Sequence, residues 1–338
     1  MNHQEPQLYP LLFKPVLKDY IWGGRNLETH LGRTLPPHKD IAESWEIAAH
    51  EHGDVQVQNG VYAGLTLSQL HKKLELDLIG RRAQWAQDRN KFPLLVKLLD
   101  ANRRLSVQVH PNDDYALANE GNELGKTEMW VILHAEEDAA VILGLKEGAT
   151  PENFAVAIED GGLETYLHNI PVQTGDFICV PSGSLHAILG GVLITEIQQN
   201  SDVTYRVYDW NRTGQDGKPR PLHVEQALDV INFEQITPQL PQPQLVEQAD
   251  GVERWELCRN RYFVVERLRL DPGAAVSGAC SGATMEIWGA IEGAARLAAG
   301  ENAVTLTAVQ FSLLPAALGS FSVSCDGAVT LLRTYLPD

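Results

Sequence analysis

No Cys-x-x-Cys pair occurs in this chain. Its four cysteines, Cys179, Cys258, Cys280 and Cys325, are scattered along 338 residues. That spacing argues against a disulfide framework and a thiolate zinc site, and fits a reducing cytosol. Positive charge is also scarce: 27 Lys and Arg face 44 Asp and Glu, for a net charge of -17. Nucleic acid and anionic membrane both need a basic surface, so neither is an expected partner. An anionic substrate would need local Lys and Arg to overcome a repulsive overall field. No apolar run is long enough to span a bilayer, and residues 1–6 lack the basic and apolar parts of a signal peptide. The expected location is the cytoplasm. A Gly-x-x-x-x-Gly-Lys phosphate loop is missing, and Gly23-Gly24 after Trp22 is too little for a dinucleotide fingerprint.

What is present reads mostly as short strands broken by turns. Gly175-Asp-Phe-Ile-Cys-Val-Pro181 is a Gly-Asp turn, an apolar strand and a proline stop. In the stretch after Gly190, the residues Val192, Ile194, Glu196 and Gln198 share one strand face. Helical signals lie near 66–90 and 150–170. In the first, Thr66 caps a run with Leu67, Leu70, Leu74 and Leu78 on one side, ended by Gly80. In the second, Thr150-Pro151-Glu152 opens a segment with Phe154, Ala157 and Ile158 on its apolar side. A third helix is expected from Val224 to Ile231. The length suggests two domains, and the Pro/Gln-rich stretch 237–248 is the best boundary. The expected organisation is one domain over 1–236, a linker over 237–248 and a smaller β domain over 249–338.

Past the linker the pattern repeats in weakened form. Glu128-Met-Trp130 is echoed by Glu286-Ile-Trp288, and Phe177-Ile-Cys-Val-Pro181 by Phe311-Ser-Leu-Leu-Pro315. The helical segment 147–170 reads as an insertion into the first copy. Ser320 stands where His186 would be, and Leu268 roughly where His110 would be, so the second copy is expected to hold no metal.

The chemistry-bearing residues collect in a few places. Gln108 and His110 are two apart in a β-branched stretch, which puts them on one face of a strand. Glu128 and His186 would arrive from other strands, as happens when a barrel aims distant strands into one interior. Two imidazoles, a carboxylate and a neighbouring amide oxygen suit a divalent metal. A lone histidine is usually a surface or hydrogen-bonded residue. Here the Gln-x-His pair, and His186 after its Pro-Ser-Gly turn, argue for ligation, whereas His3, His38, His50, His52 and His71 read as solvent-facing. Glu128, beside Met129 and Trp130 in an apolar run, is expected to be buried and therefore to need a cation. Lys126 faces the same way and could supply a plain salt bridge. Arg206 sits in an aromatic stretch, where it either stacks on Tyr208 or Trp210 or holds a phosphate or carbonyl oxygen. Lys97, in Pro93-Leu-Leu-Val-Lys-Leu-Leu99, calls for a buried anion or a snorkelling side chain. Trp22 is either packed core or the wall of a sugar site.

Taken together, these motifs resemble the class I mannose-6-phosphate isomerases in their shorter bacterial form. The resemblance is carried by Trp22-Gly-Gly, Ala42-Glu-Ser-Trp-Glu-Ile47, Pro93 to Leu99, Leu105-Ser-Val-Gln-Val-His-Pro111, Gly125-Lys-Thr-Glu-Met-Trp130, Pro181-Ser-Gly-Ser-Leu-His186, Glu196 to Asp202, and Tyr205-Arg-Val-Tyr-Asp209. They follow family order from Trp22 to Asp209, while the last part of the chain matches only as a barrel-like domain. The resemblance implies a mainly β fold: a cupin jelly-roll barrel with helical insertions, and a second, smaller barrel-like β domain without metal ligands. It implies one zinc ion per chain on Gln108, His110, Glu128 and His186. It also places Arg206 and Lys126 near the sugar oxygens, Lys97 and Ser106 near the phosphate, Trp22 on the pocket wall, and Glu196 as the base. Longer members carry a histidine where this chain has Gly125, so a proton-transfer role for that histidine is absent here.

The implied activity is zinc-dependent aldose–ketose isomerisation of mannose 6-phosphate and fructose 6-phosphate through an enediol, with a small-molecule sugar phosphate as the partner. Two histidines and a carboxylate also suit a cupin iron oxygenase. Gln108 and the nearby cations speak against that reading. A barrel that only holds a sugar phosphate would need neither Glu196 nor a complete metal set. Nothing in the sequence bears on oligomeric state.

Overall fold

The computed structural model describes residues 7–213 and 217–338, so the stretch read above for a signal peptide, with His3, lies outside it. The protein is mainly β. Among the described residues no helix is long and apolar enough to cross a membrane.

The chain divides into two compact units. One takes in Leu17–Ser44 and Val96–Pro241; the other takes in residues 7–16, Trp45–Leu95 and Gln242–Asp338. The change at 241/242 falls inside the expected linker. Residues 45–95, however, group with the C-terminal stretch rather than with the rest of 1–236. The reason is a set of backbone hydrogen bonds: Arg81 and Arg82 donate to the carbonyls of Gly282 and Ala283, Met285 donates to Ile79, and Ala316 to Leu78. Gly80 makes the approach possible, since with φ at +88° any Cβ there would lie 2.5 Å from the Ala283 carbonyl oxygen. The expected linker is also shorter than 237–248, because Gln244–Ala249 is an exposed strand.

The unit holding 96–241 is built from two antiparallel sheets. The first has six strands in the order Phe177–Val180, Glu128–Ala135, Val192–Gln199, Leu94–Ala101, Glu43–Ile47, Val16–Lys18. The second has five, in the order Leu167–Pro171, Ala140–Leu145, His186–Ile188, Val107–Val109, Tyr205–Tyr208. Trp130, Ile132 and Ile194 of the first sheet pack with Val141, Leu143 and Ile188 of the second in one core. Strand alternation turns the other residues of the second sheet the opposite way. There Val107, Val109, Ile142 and Ala187 meet Phe154 and Ala227 of the helices Pro151–Asp160 and Val224–Val230. That alternation leaves Gln108 and His186 on the inward face.

The helices arise where the caps predict them. Thr150 and Asn153 form a reciprocal capping box, Pro151 opens the helix, and Gly161 closes it in the left-handed conformation. Thr66 and Gln69 do the same for Leu67–Leu74. That helix stops earlier than expected: the chain turns at Glu75, with φ at 47°, and Leu78 is buried from a separate short helix, Leu76–Ile79. Two histidines read as solvent-facing are in fact buried. His71 lies against Phe92 and Gln87, and His50 lies against Trp45.

In the other unit, the six-stranded sheet runs Gln244–Ala249, Val252–Arg259, Val264–Leu270, Val329–Tyr335, Glu286–Glu292, Gln310–Leu314. Its four-stranded sheet runs Ala275–Cys280, Gly319–Ser324, Ala294–Ala299, Asn302–Thr307. Ranked by chain order, both six-stranded sheets read 5-4-6-3-2-1 across. The second sheets both read 3-2-4-1, with Tyr205–Tyr208 added as a fifth strand in one unit. The short sequence echoes are therefore the trace of a duplicated fold. Two equivalences change. Leu268 lies on Val264–Leu270, whose counterpart is Leu94–Ala101, so it does not stand in the place of His110. Ser320 lies on the exposed face of its strand, so the place of His186 falls to Phe321, which packs on Trp288 as His186 does on Trp130.

Candidate metal centre

His110, Glu128 and His186 present donor atoms that all lie within 4.8 Å of one another, and each residue is only 1% exposed. Glu128 Oε2 is 3.5 Å from His110 Nε2, and Oε1 is 3.4 Å from His186 Nε2. Each imidazole is oriented from behind. His110 Nδ1 lies 2.8 Å from the Val203 carbonyl and His186 Nδ1 lies 2.9 Å from the Ser184 carbonyl. A proton on Nδ1 satisfies those carbonyls and leaves both Nε2 lone pairs facing Glu128. Burial, reinforced by the Lys126 charge, holds His110 well below the ordinary histidine range. Burial likewise lowers His186 to about 4. Neutral imidazoles of this kind are ready ligands.

Glu128 is held by the indole of Trp130, whose Nε1 donates to Oε1 at 3.1 Å. Burial, with the Glu196 carboxylate nearby, raises its pKa to about 7. A carboxylate pushed that high gains strongly from a cation. Lys126 gives part of this: its Nζ is 2.5 Å from Glu128 Oε2 and 2.9 Å from His110 Nε2. The three-residue donor set thus fits a metal by atom type, burial and orientation. Gln108 sits beside it, paired across the strands with His186 and with its amide 3.3 Å from His186 Nε2. Its Oε1 accepts from the Ser106 hydroxyl, and a half-turn of the amide would exchange the two roles.

A cavity of about 310 Å³ opens in front of the donors. Its lining brings together Gln108, Lys126, Glu128 and Glu196 with Trp22, Lys97, Ser106 and Arg206. Lys97 resolves as a cation among buried anions, with Nζ 3.2 Å from Glu196 and 3.6 Å from Glu43. Burial opposes its charge, but the two carboxylates outweigh that and raise its pKa. For Glu196 the balance is the mirror image: burial opposes ionisation, and Lys97 and Lys126 outweigh it, so the carboxyl titrates below its ordinary range. Arg206 donates to Ser106 Oγ at 3.1 Å and to the Pro221 carbonyl at 2.9 Å, while it is Arg104 that stacks on Trp210.

Sequence reasoning missed Glu43 and Arg220. Glu43 lay in view in Ala42-Glu-Ser-Trp, but nothing local tied it to Lys97. Arg220, between two prolines, has no periodicity to place it; it lines the cavity with its guanidinium on Asp209.

Residues 11–125 match the sequence model of a family described as phosphomannose isomerase type I, catalytic domain. The chain is 40% identical to the probable mannose-6-phosphate isomerase GmuF of Bacillus subtilis, over 93% of this chain and 96% of that protein. It is also 40% identical to the mannose-6-phosphate isomerase ManA of the same organism, over 93% and 95%. Among solved structures, the mannose 6-phosphate isomerase from Bacillus subtilis superposes with a TM-score of 0.85 at 34% identity, covering 96% of this chain and 99% of that one.

Proposed function

This chain belongs to the type I mannose-6-phosphate isomerase family, and from that premise we propose that it interconverts mannose 6-phosphate and fructose 6-phosphate through an enediol. The observation that carries the reading is the single cavity in which a buried donor set, a charged carboxylate and several cations converge. Gln108, His110, Glu128 and His186 would hold a divalent ion, zinc in this reading. Bound there, zinc supplies a Lewis acid that polarises the sugar carbonyl and favours the enediolate.

The remaining work falls to the protein's own side chains. Glu196 is the base, taking the proton from C2 and returning it to C1. Its low pKa keeps it ionised, and Lys97 and Lys126 hold the carboxylate in one orientation. Arg206 and Lys126 offer donors to the sugar oxygens, Lys97 and Ser106 lie on the phosphate side, and Trp22 forms a wall. Family membership leaves the oxygenase and pure binding readings without support.

Removing metal with a chelator should abolish fructose 6-phosphate formation, and zinc should restore it. A folded protein inactive in every metal state would discard the isomerase reading. Glu196→Gln should lower turnover by about 10²–10⁴-fold while zinc content stays that of the wild type. Wild-type turnover in that variant would remove Glu196 from the mechanism.

A further inference from the structure

We propose that the second unit keeps a ligand cavity of its own, in the position that the cavity beside the candidate metal donors occupies in the first, and that its ligand is an uncharged sugar of hexose size. The inference needs only the residues of 242–338 and stands apart from the catalytic reading.

The cavity measures about 270 Å³, and its lining includes Leu268, Gly278, Trp288 and Arg333. Each has a counterpart lining the first cavity. Trp288 lies across the strands from Arg333, as Trp130 does from Glu196. Leu268 is two residues beyond Glu266, which pairs with Arg333; Leu99 is two beyond Lys97, which pairs with Glu196. Gly278 lies across the strands from Phe321, as Gln108 does from His186, and Phe321 packs edge-on to Trp288 as His186 does to Trp130. The pocket has therefore been inherited with the fold, and with the polarity of its central ion pair reversed.

What has not been inherited is the donor set. Gly278 and Phe321 stand at the positions of Gln108 and His186, and Cys280 at that of His110, where burial pushes its thiol up to about 12 and keeps it protonated. Only the carboxylate remains: Trp288 Nε1 donates to Glu286 Oε2 at 2.8 Å, as Trp130 does to Glu128. Its cation is internal, with Arg333 Nε 2.9 Å from Glu286 Oε2 and Nη1 3.2 Å from Glu266 Oε2. A covalently fixed guanidinium in place of a metal removes the Lewis acid and leaves a binding site.

The lining then selects the ligand. Its charged residues are Glu247, Asp250, Arg254 and Arg333, which balance, and the buried Glu266 and Glu286 lie beside them. No excess of cations waits for a phosphate. Arg254 places its two terminal nitrogens 3.0 Å from Glu247 and 3.8 Å from Glu266, while its Nε is buried with no hydrogen-bond partner. A buried donor of this kind is costly unless a ligand accepts from it. Carboxylates and guanidinium beside the rings of Trp288 and Phe321 provide hydroxyl partners and apolar faces, which suit a sugar ring.

The test is a titration of the full chain, ¹³C-labelled on Leu and Val methyls, with D-mannose and D-glucose. Saturable shifts at Leu268 and Val276 are expected. Arg254→Ala should weaken the affinity by about tenfold or more, and Val276→Phe, which adds bulk at a lining residue on the inward face, should do the same as read at Leu268. Isomerase turnover should be unchanged in both. The proposal fails if neither sugar moves these methyls up to about 100 mM, if only mannose 6-phosphate moves them, or if neither substitution weakens binding.

Discussion

His110→Ala is expected to yield a folded protein that retains almost no metal and turns over at less than about one thousandth of the wild-type rate. The side chain contributes at three levels. It supplies one of three buried donors, and its Nε2 faces Glu128 only because Nδ1 is tied to the Val203 carbonyl. It also shields Lys126, whose ammonium lies 2.9 Å away. Without the ring, Lys126 is left to pair with Glu128 alone, and that ion pair competes with any incoming metal for the same carboxylate. Loss of packing in a buried site costs stability too, so circular dichroism must accompany the assay. Metal content measured by mass spectrometry beside turnover decides the matter. An active variant without metal would sink the ligand assignment, and a metal-loaded inactive one would move His110 from ligand to catalyst.

Arg333→Met should lower stability by about 3–5 kcal/mol in urea unfolding. Glu266 and Glu286 are nearly inaccessible to water, and Arg333 makes hydrogen bonds to both. Methionine would keep much of the volume while stranding two carboxylates in a low-dielectric interior. The same reasoning makes the effect reversible by design. Glu266→Gln and Glu286→Gln added to Arg333→Met should recover most of the loss, because the stranded charges are gone. A single variant within about 1 kcal/mol of wild type would show that solvent already compensates these glutamates.

How much of this was legible from the chain depends on the range of the interaction. Local geometry was fully readable. The two-residue period of a strand put Gln108 and His110 on one face, and the capping boxes at Thr66 and Thr150 placed two helix starts. Atom type and spacing pointed to a candidate donor set, of which the fold brings His110, Glu128 and His186 together, and the match of Glu128-Met-Trp130 to Glu286-Ile-Trp288 pointed to the duplication. These are consequences of backbone geometry and of short runs of side chains, which any segment carries with it.

The partner of a buried charge was not readable, because it depends on which strands become neighbours. Lys97 demanded an anion, yet only the sheet order chose Glu43 and Glu196 over the other acidic residues of the chain. Arg206 could have stacked on an aromatic ring, until the fold gave Trp210 to Arg104 and brought Ser106 to Arg206. The grouping of 45–95 with the C-terminal stretch rests on backbone bonds around Gly80 and Ala283, which leave no mark on local composition. By itself, then, the sequence determined which side chains were candidates to bind a metal and that Gln108 and His110 share a strand face. Only the tertiary structure decided which charges meet, since that choice is made by long-range strand pairing rather than by the residues on either side.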